Sequence, residues 1–185
     1  MDNLIKNVKK YDDFKKVFEV FKSEPFNENW TEEELYNEYE YLKKSGEIYG
    51  YYLDDTIIAG LVSIVYGAIK EHPIDFLNPE KIIYLSDIAV IPQERGKGHA
   101  KRLADFIIDY AQLFNYYEQM YLRTNLNGSM SEKIFLERGF TIMNDSHNNI
   151  ITQDIPFERI NGVVEKDTRK FLSKRLVKRW IDMRF

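Results

Sequence analysis

Cysteine is absent from this chain of 185 residues, and so is any long apolar run. Without thiols there are no disulfides, no thiolate zinc sites and no cysteine nucleophile, so any catalysis must use other groups. No apolar stretch reaches the roughly 18 to 20 residues that a membrane span requires. The start of the chain, Met1 to Leu4, also lacks the apolar region of a signal peptide. The sequence therefore predicts a cytoplasmic protein.

Patterns typical of metal sites and of hydrolases are missing as well. The three histidines, His72, His99 and His147, stand apart from one another and from any second ligand at metal-binding spacing. No Ser-His-Asp arrangement is visible. We therefore expect a protein that uses no metal.

The composition is that of a single globular domain. Hydrophobic residues make up 44% and charged residues 30%, which is the balance of a folded, soluble protein. The net charge of -4 is distributed unevenly, because residues 158–185 hold nine Lys or Arg against four Asp or Glu. The acidic remainder argues against nucleic acid as the main partner and favours a cationic substrate such as an amine.

Hydrophobic periodicity predicts a mixture of strands and helices. Capping boxes at Thr31 and Ser129 start two of the helices, and the nearly continuous apolar strand from Ile82 to Val90 is expected at the centre of a sheet. The order predicts an α/β (α+β) fold with a mixed sheet flanked by helices. The other predicted strands are Asn3–Val8, Glu47–Leu53, Thr56–Tyr66, Met120–Asn125, Phe140–Met143 and Asn149–Ile155, and the predicted helices are Tyr11–Ser23, Thr31–Ser45, Ala100–Asn115 and Ser129–Arg138.

The most informative segment leads from the central strand through a glycine-containing loop into a helix. The loop reads Arg95-Gly96-Lys97-Gly98-His99-Ala100. Glycines let phosphate oxygens approach the backbone, and the start of a helix offers free N–H groups at the positive end of the helix dipole. The loop is therefore predicted to bind a pyrophosphate.

Two common phosphate-binding loops do not fit this spacing. A P-loop has Ser or Thr directly after its Gly-Lys pair, whereas Gly98 follows Gly96 and Lys97 here. A dinucleotide-binding fingerprint requires a small residue where Lys101 stands, and an early βαβ unit.

The loop resembles the Arg/Gln-x-x-Gly-x-Gly/Ala motif of the GNAT superfamily of acyl-CoA-dependent N-acyltransferases, since it follows a strand that ends Ile-Ala-Val-x-Pro. The distance from that strand makes Arg95, rather than Gln93, the first residue of the motif. A second resemblance lies in Phe135 to Phe140, and together they cover roughly Tyr11 to Ile155. The resemblance implies a GNAT-like mixed central sheet of six or seven strands flanked by helices. It also implies acetyl-CoA as co-substrate and a small-molecule or peptide amine as acceptor.

The same resemblance implies how CoA is held. Backbone groups of the central strand would hold the pantothenate arm, and the amides of the loop would bind the pyrophosphate, with added charge from Arg95 and Lys97. The residues expected to bind CoA are Ile88, Ala89, Val90, Arg95, Gly96, Lys97, Gly98, His99, Ala100, Lys101 and Asn127.

For catalysis, the resemblance implies direct attack of a neutral amine on the thioester in a ternary complex. The amide of Ile88 would stabilise the oxyanion, and either Asp87 or Tyr84 would act as the base.

Two positions depart from the family pattern. Phe135 stands where many relatives have the Tyr that protonates the CoA thiolate, so either another hydroxyl substitutes, the thiolate leaves unassisted, or catalysis is lost. The candidate hydroxyls belong to Ser129, Ser131 and Tyr121. Gly128 falls on the usual Asn position, so Asn127 or Asn125 would have to contact the arm.

The C-terminal residues lie outside the resemblance. Apolar residues at Leu172, Leu176, Trp180 and Met183 predict a basic amphipathic helix from Val163 to Phe185. We therefore divide the chain into an acyltransferase domain, residues 1–157, and a helical extension, residues 158–185. The helix would pack on its own domain or on a second copy in a homodimer, the alternatives being an acidic macromolecule or a membrane surface.

Three functions remain open at this level. The first is an N-acetyltransferase, the second a non-catalytic acyl-CoA-binding module, which Phe135 makes worth considering, and the third a nucleic-acid adaptor that acts through the basic tail. The acceptor would be chosen by the loops Glu24–Trp30 and Gly67–Lys81.

Overall fold

Most of the predicted strands and helices are present in the computed structural model, which describes residues 3–22, 30–54, 56–114, 116–158 and 164–177. The fold is mixed α/β, with a central sheet flanked by helices, as predicted, and the sheet is mostly antiparallel. The chain forms two units, residues 1–66 with 85–110 and residues 67–84 with 111–185. Strand β4, Ile82–Val90, contributes its first three residues to the second unit and the rest to the first.

The first unit is an antiparallel sheet with helices. Strands β1, β2 and β3 pair in that order, and β3 lies next to β4. The elements are β1 (Asn3–Asn7), α1 (Tyr11–Phe18, continued by a 3-10 turn over Glu19–Lys22), α2 (Glu32–Ser45), β2 (Gly46–Leu53), β3 (Thr56–Tyr66) and α3 (His99–Leu113). The last turn of α3, after Tyr110, belongs to the second unit.

Local signals place these elements where the sequence predicts them. The Thr31 hydroxyl accepts from the Glu34 N–H at 3.2 Å, while the Glu34 carboxylate accepts from the Thr31 N–H at 2.8 Å, so the capping box is complete. The β2–β3 hairpin turns at Asp54, which has φ 46. Asp is one of the few residues that tolerate this left-handed conformation. The hairpin prediction is confirmed.

Gly60 allows α3 to approach β3 closely. It has φ 73, and a Cβ at this position would overlap the side chain of Leu103, which is completely buried. A larger residue would push Leu103 off the sheet. The glycine thus sets the distance between the sheet and the helix that follows the predicted binding loop.

The second unit is built on β8. Strand β4 lies next to β5, β5 pairs with β8, and β8 also pairs with β6 and β7, all three pairings of β8 being antiparallel. The elements are β5 (Gln119–Asn125), α4 (Met130–Leu136), β6 (Thr141–Ile142), β7 (Thr152–Glu158) and β8 (Val164–Arg175). The buried residues Tyr121, Phe171 and Leu172 form its core.

The predicted C-terminal helix is wrong over Val164–Arg175, which is strand β8. The prediction used apolar residues four apart, such as Leu172 and Leu176, and both are buried. A spacing of four keeps residues on one face of a helix and equally on one face of a strand, so it could not separate the two. Trp180 and Met183 lie outside the described residues. The division of the chain after residue 157 stays a prediction.

The capping box predicted at Ser129 forms only in part. The Ser129 hydroxyl caps α4 by accepting from the Glu132 N–H at 3.1 Å, but the Glu132 carboxylate binds the Lys170 ammonium at 2.8 Å. The helix ends at Leu136, two residues before the predicted end, and Gly139 follows with φ 81 as the predicted cap residue.

Candidate functional site

The predicted phosphate loop, called the cradle below, has two glycines in the left-handed conformation. After a 3-10 turn over Pro92–Glu94, Gly96 and Gly98 adopt φ 78 and 87. A Cβ placed on either glycine would meet no atom within 4 Å. Close packing is therefore not the reason for glycine at these two positions; the left-handed backbone conformation is the reason. The space beside both glycines is open.

The cradle ends at the start of α3, where the Gly98 carbonyl accepts from the Arg102 N–H at 3.1 Å. Helices α1, α2 and α4 each have acidic residues in their first turn, which suit the positive end of the helix dipole. The first turn of α3 has none and instead carries Lys101. The first turn of α3 therefore has no acidic side chain of its own to offset the positive end of the helix dipole.

Glu94 holds the shape of the cradle. Its carboxylate accepts from the Lys97 ammonium at 2.8 Å and contacts the His99 Nε2 at 3.1 Å, and these contacts lower its pKa, the Lys97 bond most. His99 is buried and packs edge-on against Tyr51, with ring centroids 5.1 Å apart. The imidazole of His99 therefore supports the loop from within, and its buried Nδ1 has no hydrogen-bond partner in the described part of the chain.

At the end of β4 the side chain of Arg95 folds back onto the strand. Its Nε donates to the Val90 carbonyl at 3.0 Å. Ala89 is buried, and Ile88 and Val90 are half-buried. The carbonyl of Val90, one of the groups predicted to hold the CoA arm, thus already accepts a hydrogen bond.

The two predicted bases have different surroundings, although both lie on β4. Asp87 is half-buried and its carboxylate accepts from the neighbouring Ser86 hydroxyl. Tyr84 is buried, and its hydroxyl accepts from the Arg123 Nε at 3.0 Å. Asp87 belongs to the first unit and Tyr84 to the second.

Among the candidate proton donors, Phe135 and Tyr121 are committed to the core. Phe135 is buried against Phe140, with ring centroids 5.1 Å apart. The hydroxyl of Tyr121 accepts from the Ile69 N–H at 2.9 Å and lies 2.9 Å from the His72 Nδ1.

The serines at the start of α4 form a chain of hydroxyls. Ser129 lies 2.7 Å from the Thr124 hydroxyl on one side and 2.7 Å from the Ser131 hydroxyl on the other. Thr124 is buried, whereas Ser131 is exposed. The chain therefore connects a buried hydroxyl to the surface, a connection that the sequence pattern did not reveal.

Asn125, the last residue of β5, and Asn127 in the turn after it have different roles. The Asn125 side chain accepts from the Asn127 N–H at 2.9 Å and donates to the Asp167 carboxylate at 3.2 Å, so it is used within the turn. Asn127 is exposed. Of the two, Asn127 is the residue whose side chain remains available to a ligand.

Sequence reasoning missed a polar cluster inside the second unit, formed around Arg123. An Arg within the apolar strand β5 was the only local signal. Burial first, and the charge of Arg123 second, lower the pKa of His72 to about 4. His72 is therefore neutral near pH 7, and its Nδ1 shares a hydrogen bond of 2.9 Å with the Tyr121 hydroxyl.

The loops predicted to select the acceptor are described only in part. Residues 24–29 lie outside the described residues, and Trp30 packs edge-on against Phe18 with centroids 5.2 Å apart. Residues 67–81 form the predicted loop, which ends in a 3-10 turn over Pro79–Lys81.

Two features are absent from the described part of the chain. Within it, no helix is long and apolar enough to cross a membrane. In the same residues, no group of three or more His, Asp or Glu side chains is placed to hold a metal ion.

Solved structures share this fold. An N-acetyltransferase from Staphylococcus aureus Mu50 matches with a TM-score of 0.71 and 14% identity over 96% of this chain and 100% of that one. The ribosomal-protein-S18-alanine N-acetyltransferase from Escherichia coli matches with a TM-score of 0.68 and 12% identity over 100% of both chains. An acetyltransferase from Bacillus subtilis in complex with CoA matches with a TM-score of 0.61 and 18% identity over 95% and 100%. No curated protein matches by sequence.

A family model for the Acetyltransferase (GNAT) family matches residues 14–140, which is more than half of the chain. The chain belongs to the GNAT acetyltransferase family, as the resemblance of its loop predicts.

Proposed function

We propose that the protein transfers an acetyl group from acetyl-CoA to a primary amine by direct attack in a ternary complex. One observation carries the proposal: the motif loop has two left-handed glycines bordered by open space, directly before a helix start that lacks acidic residues. Such a loop suits the pyrophosphate of CoA. The solved relative bound to CoA supports the same co-substrate.

Within the cradle, backbone amides from Arg95 to Lys101 would bind the pyrophosphate, and Lys97 would add charge beside its Glu94 partner. Ile88, Ala89 and Val90 would hold the pantothenate arm, with Asn127 as a further contact. The amide of Ile88 would donate to the oxyanion that forms when the amine attacks the thioester.

Asp87 is the better of the two proposed bases. A carboxylate at a half-buried position can accept a proton from an ammonium, directly or through water. The Tyr84 hydroxyl instead accepts a hydrogen bond from a guanidinium and is buried. We assign the base to Asp87 and give Tyr84 a positioning role.

Asp87→Asn should lower kcat/KM for the amine about 100-fold or more at pH 7, because the acceptor then has no group to take its proton. The loss should shrink at high pH, where more of the amine is already neutral. Affinity for acetyl-CoA, measured by calorimetry, should not change. Asp109→Asn, the same substitution on an exposed part of α3, is the control. A rate at pH 7 within threefold of the parent would show that Asp87 is not the base.

Ser131 is the proposed proton donor to the CoA thiolate. It stands one helical turn before Phe135, on the same face of α4, and ends the hydroxyl chain at the surface. Ser131→Ala should lower kcat about 10- to 100-fold and leave the melting temperature unchanged. Ser131→Thr, which keeps the hydroxyl, should retain most activity. Equal kcat values for all three proteins would remove Ser131 from the mechanism.

The function itself is tested with acetyl-CoA and a broad panel of primary amines, by following free CoA thiol with a colorimetric reagent. The protein contributes no background because it has no cysteine. Amine-dependent thiol release, with the acetylated amine identified by mass spectrometry, is the expected result. Tight binding of acetyl-CoA with no release for any amine would overturn the transferase.

That negative result would favour a second candidate, a non-catalytic acyl-CoA-binding module. The buried Phe135 at the usual position of the proton-donating Tyr is the observation in its favour. The two candidates share the cradle and differ only in turnover.

A further inference from the structure

Arg123, in the middle of β5, is a half-buried cation whose hydrogen bonds go to neutral groups. Its Nε donates to the Tyr84 hydroxyl at 3.0 Å and its Nη1 to the Gln153 Oε1 at 3.0 Å. No carboxylate in the described part of the chain lies within ion-pair distance of its guanidinium, whereas Lys170 on β8 pairs with Glu132 at 2.8 Å. Among those residues, the charge of Arg123 therefore has no counterion.

A second guanidinium, that of Arg169 on β8, shares this face of the sheet. Arg169 lies opposite Asn125 of β5 and opposite Gln153 of β7, and residues directly opposite each other point to the same side. Arg123 is two residues before Asn125, so it points to that side as well. Arg123 and Arg169 are thus diagonal neighbours, with Cα atoms about 7 to 8 Å apart, a distance that two long side chains can span.

The hydrogen-bonding groups and the charges of these two side chains are only partly used. Among the described residues, Asp167 is the one carboxylate that pairs with either guanidinium: it contacts the Arg169 Nη2 and also accepts from the Asn125 Nδ2 at 3.2 Å. The Arg169 Nε is buried and has no hydrogen-bond partner within the same residues. His72 is neutral near pH 7, because burial first, and Arg123 second, lower its pKa to about 4. One positive charge in excess therefore remains on this face.

Apolar side chains border the two guanidiniums. The guanidinium carbon of Arg123 lies 5.8 Å from the centroid of the Tyr84 ring, and Phe171, which is opposite Arg123 in the register of β5 and β8, is buried. Ile155 is half-buried and stands two residues after Gln153, hence on the same face. Apolar walls lower the local dielectric constant and so strengthen a charge pair with a bound anion. These surroundings suit an anion that has an apolar body.

We propose that Arg123 and Arg169 form a binding site for a small carboxylate with an apolar body. One carboxylate oxygen would accept from each guanidinium, and a single excess charge suits a monoanion better than a phosphate dianion. Gln153 holds the Arg123 guanidinium in place and is itself fixed by a hydrogen bond of 3.1 Å from its Nε2 to the Glu71 carbonyl. Every group of this site belongs to the second unit, so the proposal depends neither on the cradle nor on the transferase function.

Benzoate is the probe, and benzamide, which has the same ring and no charge, is the control. Thermal unfolding and NMR of the 15N-labelled arginine Nε–H groups follow binding at constant ionic strength, with chloride as the balancing anion. Benzoate should bind with a Kd of about 1 mM or below. At about 10-fold that concentration it should raise the Tm by about 3 to 6 °C, because it binds the folded state alone. Benzamide should give no shift.

Two variants and a control locate the site. Arg123→Gln should weaken benzoate binding at least about 10-fold, since a charge-assisted hydrogen bond is lost. Gln153→Glu should do the same while keeping both guanidiniums, because it supplies an internal carboxylate beside Arg123. Arg175→Gln, which removes an exposed guanidinium from the same face of β8, should leave the affinity unchanged. Should Arg123→Gln fail to fold, Gln153→Glu still decides the test.

Loss of benzoate binding in both variants, with Arg175→Gln behaving like the wild type, would establish the site. A shift of equal size with benzamide, or a benzoate shift that persists in Arg123→Gln and Gln153→Glu, would place the binding elsewhere and overturn the proposal. Absence of any change in Tm and in the NMR signals at about 10 mM benzoate would overturn it as well. None of these measurements involves acetyl-CoA, so each result leaves the transferase proposal as it stands.

Discussion

Gly98→Glu is expected to weaken acetyl-CoA binding about 100-fold, which corresponds to about 2.8 kcal/mol. The new side chain would enter the open space beside the loop, where an added Cβ meets no protein atom within 4 Å. Its carboxylate would then stand where the pyrophosphate is proposed to bind, in front of the α3 N-terminus. Like charges repel, and the side chain would also occupy the room that the phosphates need.

Strain must be separated from this effect, because a residue with a Cβ is disfavoured at φ 87. Gly139→Glu is the matched control: Gly139 has φ 81, lies after α4 and would place a Cβ 3.7 Å from the Lys174 Nζ. Both variants should lose about 1 to 2 kcal/mol of stability from the left-handed conformation. Only Gly98→Glu should lose CoA affinity in calorimetry. Unchanged affinity in Gly98→Glu would refute the cradle.

Lys170→Met is expected to give the largest loss of stability, about 3 kcal/mol. Lys170 on β8 and Glu132 on α4 form an ion pair of 2.8 Å, and their side chains are only 9% and 11% exposed. Removing the ammonium leaves a carboxylate that water reaches poorly. For a protein of this size the melting temperature should fall by about 6 to 12 °C in thermal unfolding.

The double variant Lys170→Met with Glu132→Met tests whether the unpaired charge is the cause. Replacing both partners removes the stranded carboxylate, so the double variant should be more stable than Lys170→Met alone. Lys166→Met, on the same strand but 77% exposed beside Asp154, should change the melting temperature by no more than about 2 °C. Losses that simply add in the double variant would show that the two charges are not coupled, and would overturn this explanation.

Local sequence patterns were sufficient to predict most helices and strands of the first unit and the glycine loop of the cradle. The capping residues Thr31 and Glu34 are three positions apart, and Gly96 and Gly98 are two apart, so the relevant interactions are between near neighbours in sequence. Such interactions form largely independently of the rest of the chain. The helix starts, the hairpin at Asp54 and the family of the protein were therefore predictable.

Strand β8 shows where local patterns fail. Its apolar residues fit a helix and a strand equally, and the choice is made by pairing with three other strands. Backbone hydrogen bonds to distant strands, which the sequence does not display, decide the conformation here.

By itself, then, the sequence determined the cradle from Ile88 to Lys101, because loop, glycines and helix start are consecutive and their conformation depends on neighbouring residues. Only the tertiary structure decided the surroundings of the polar groups. Glu132 meets Lys170 and Arg123 meets Gln153 across 38 and 30 positions of chain. Whether a charge is paired depends on such distant contacts, since burial and Coulomb energy are set by proximity in space.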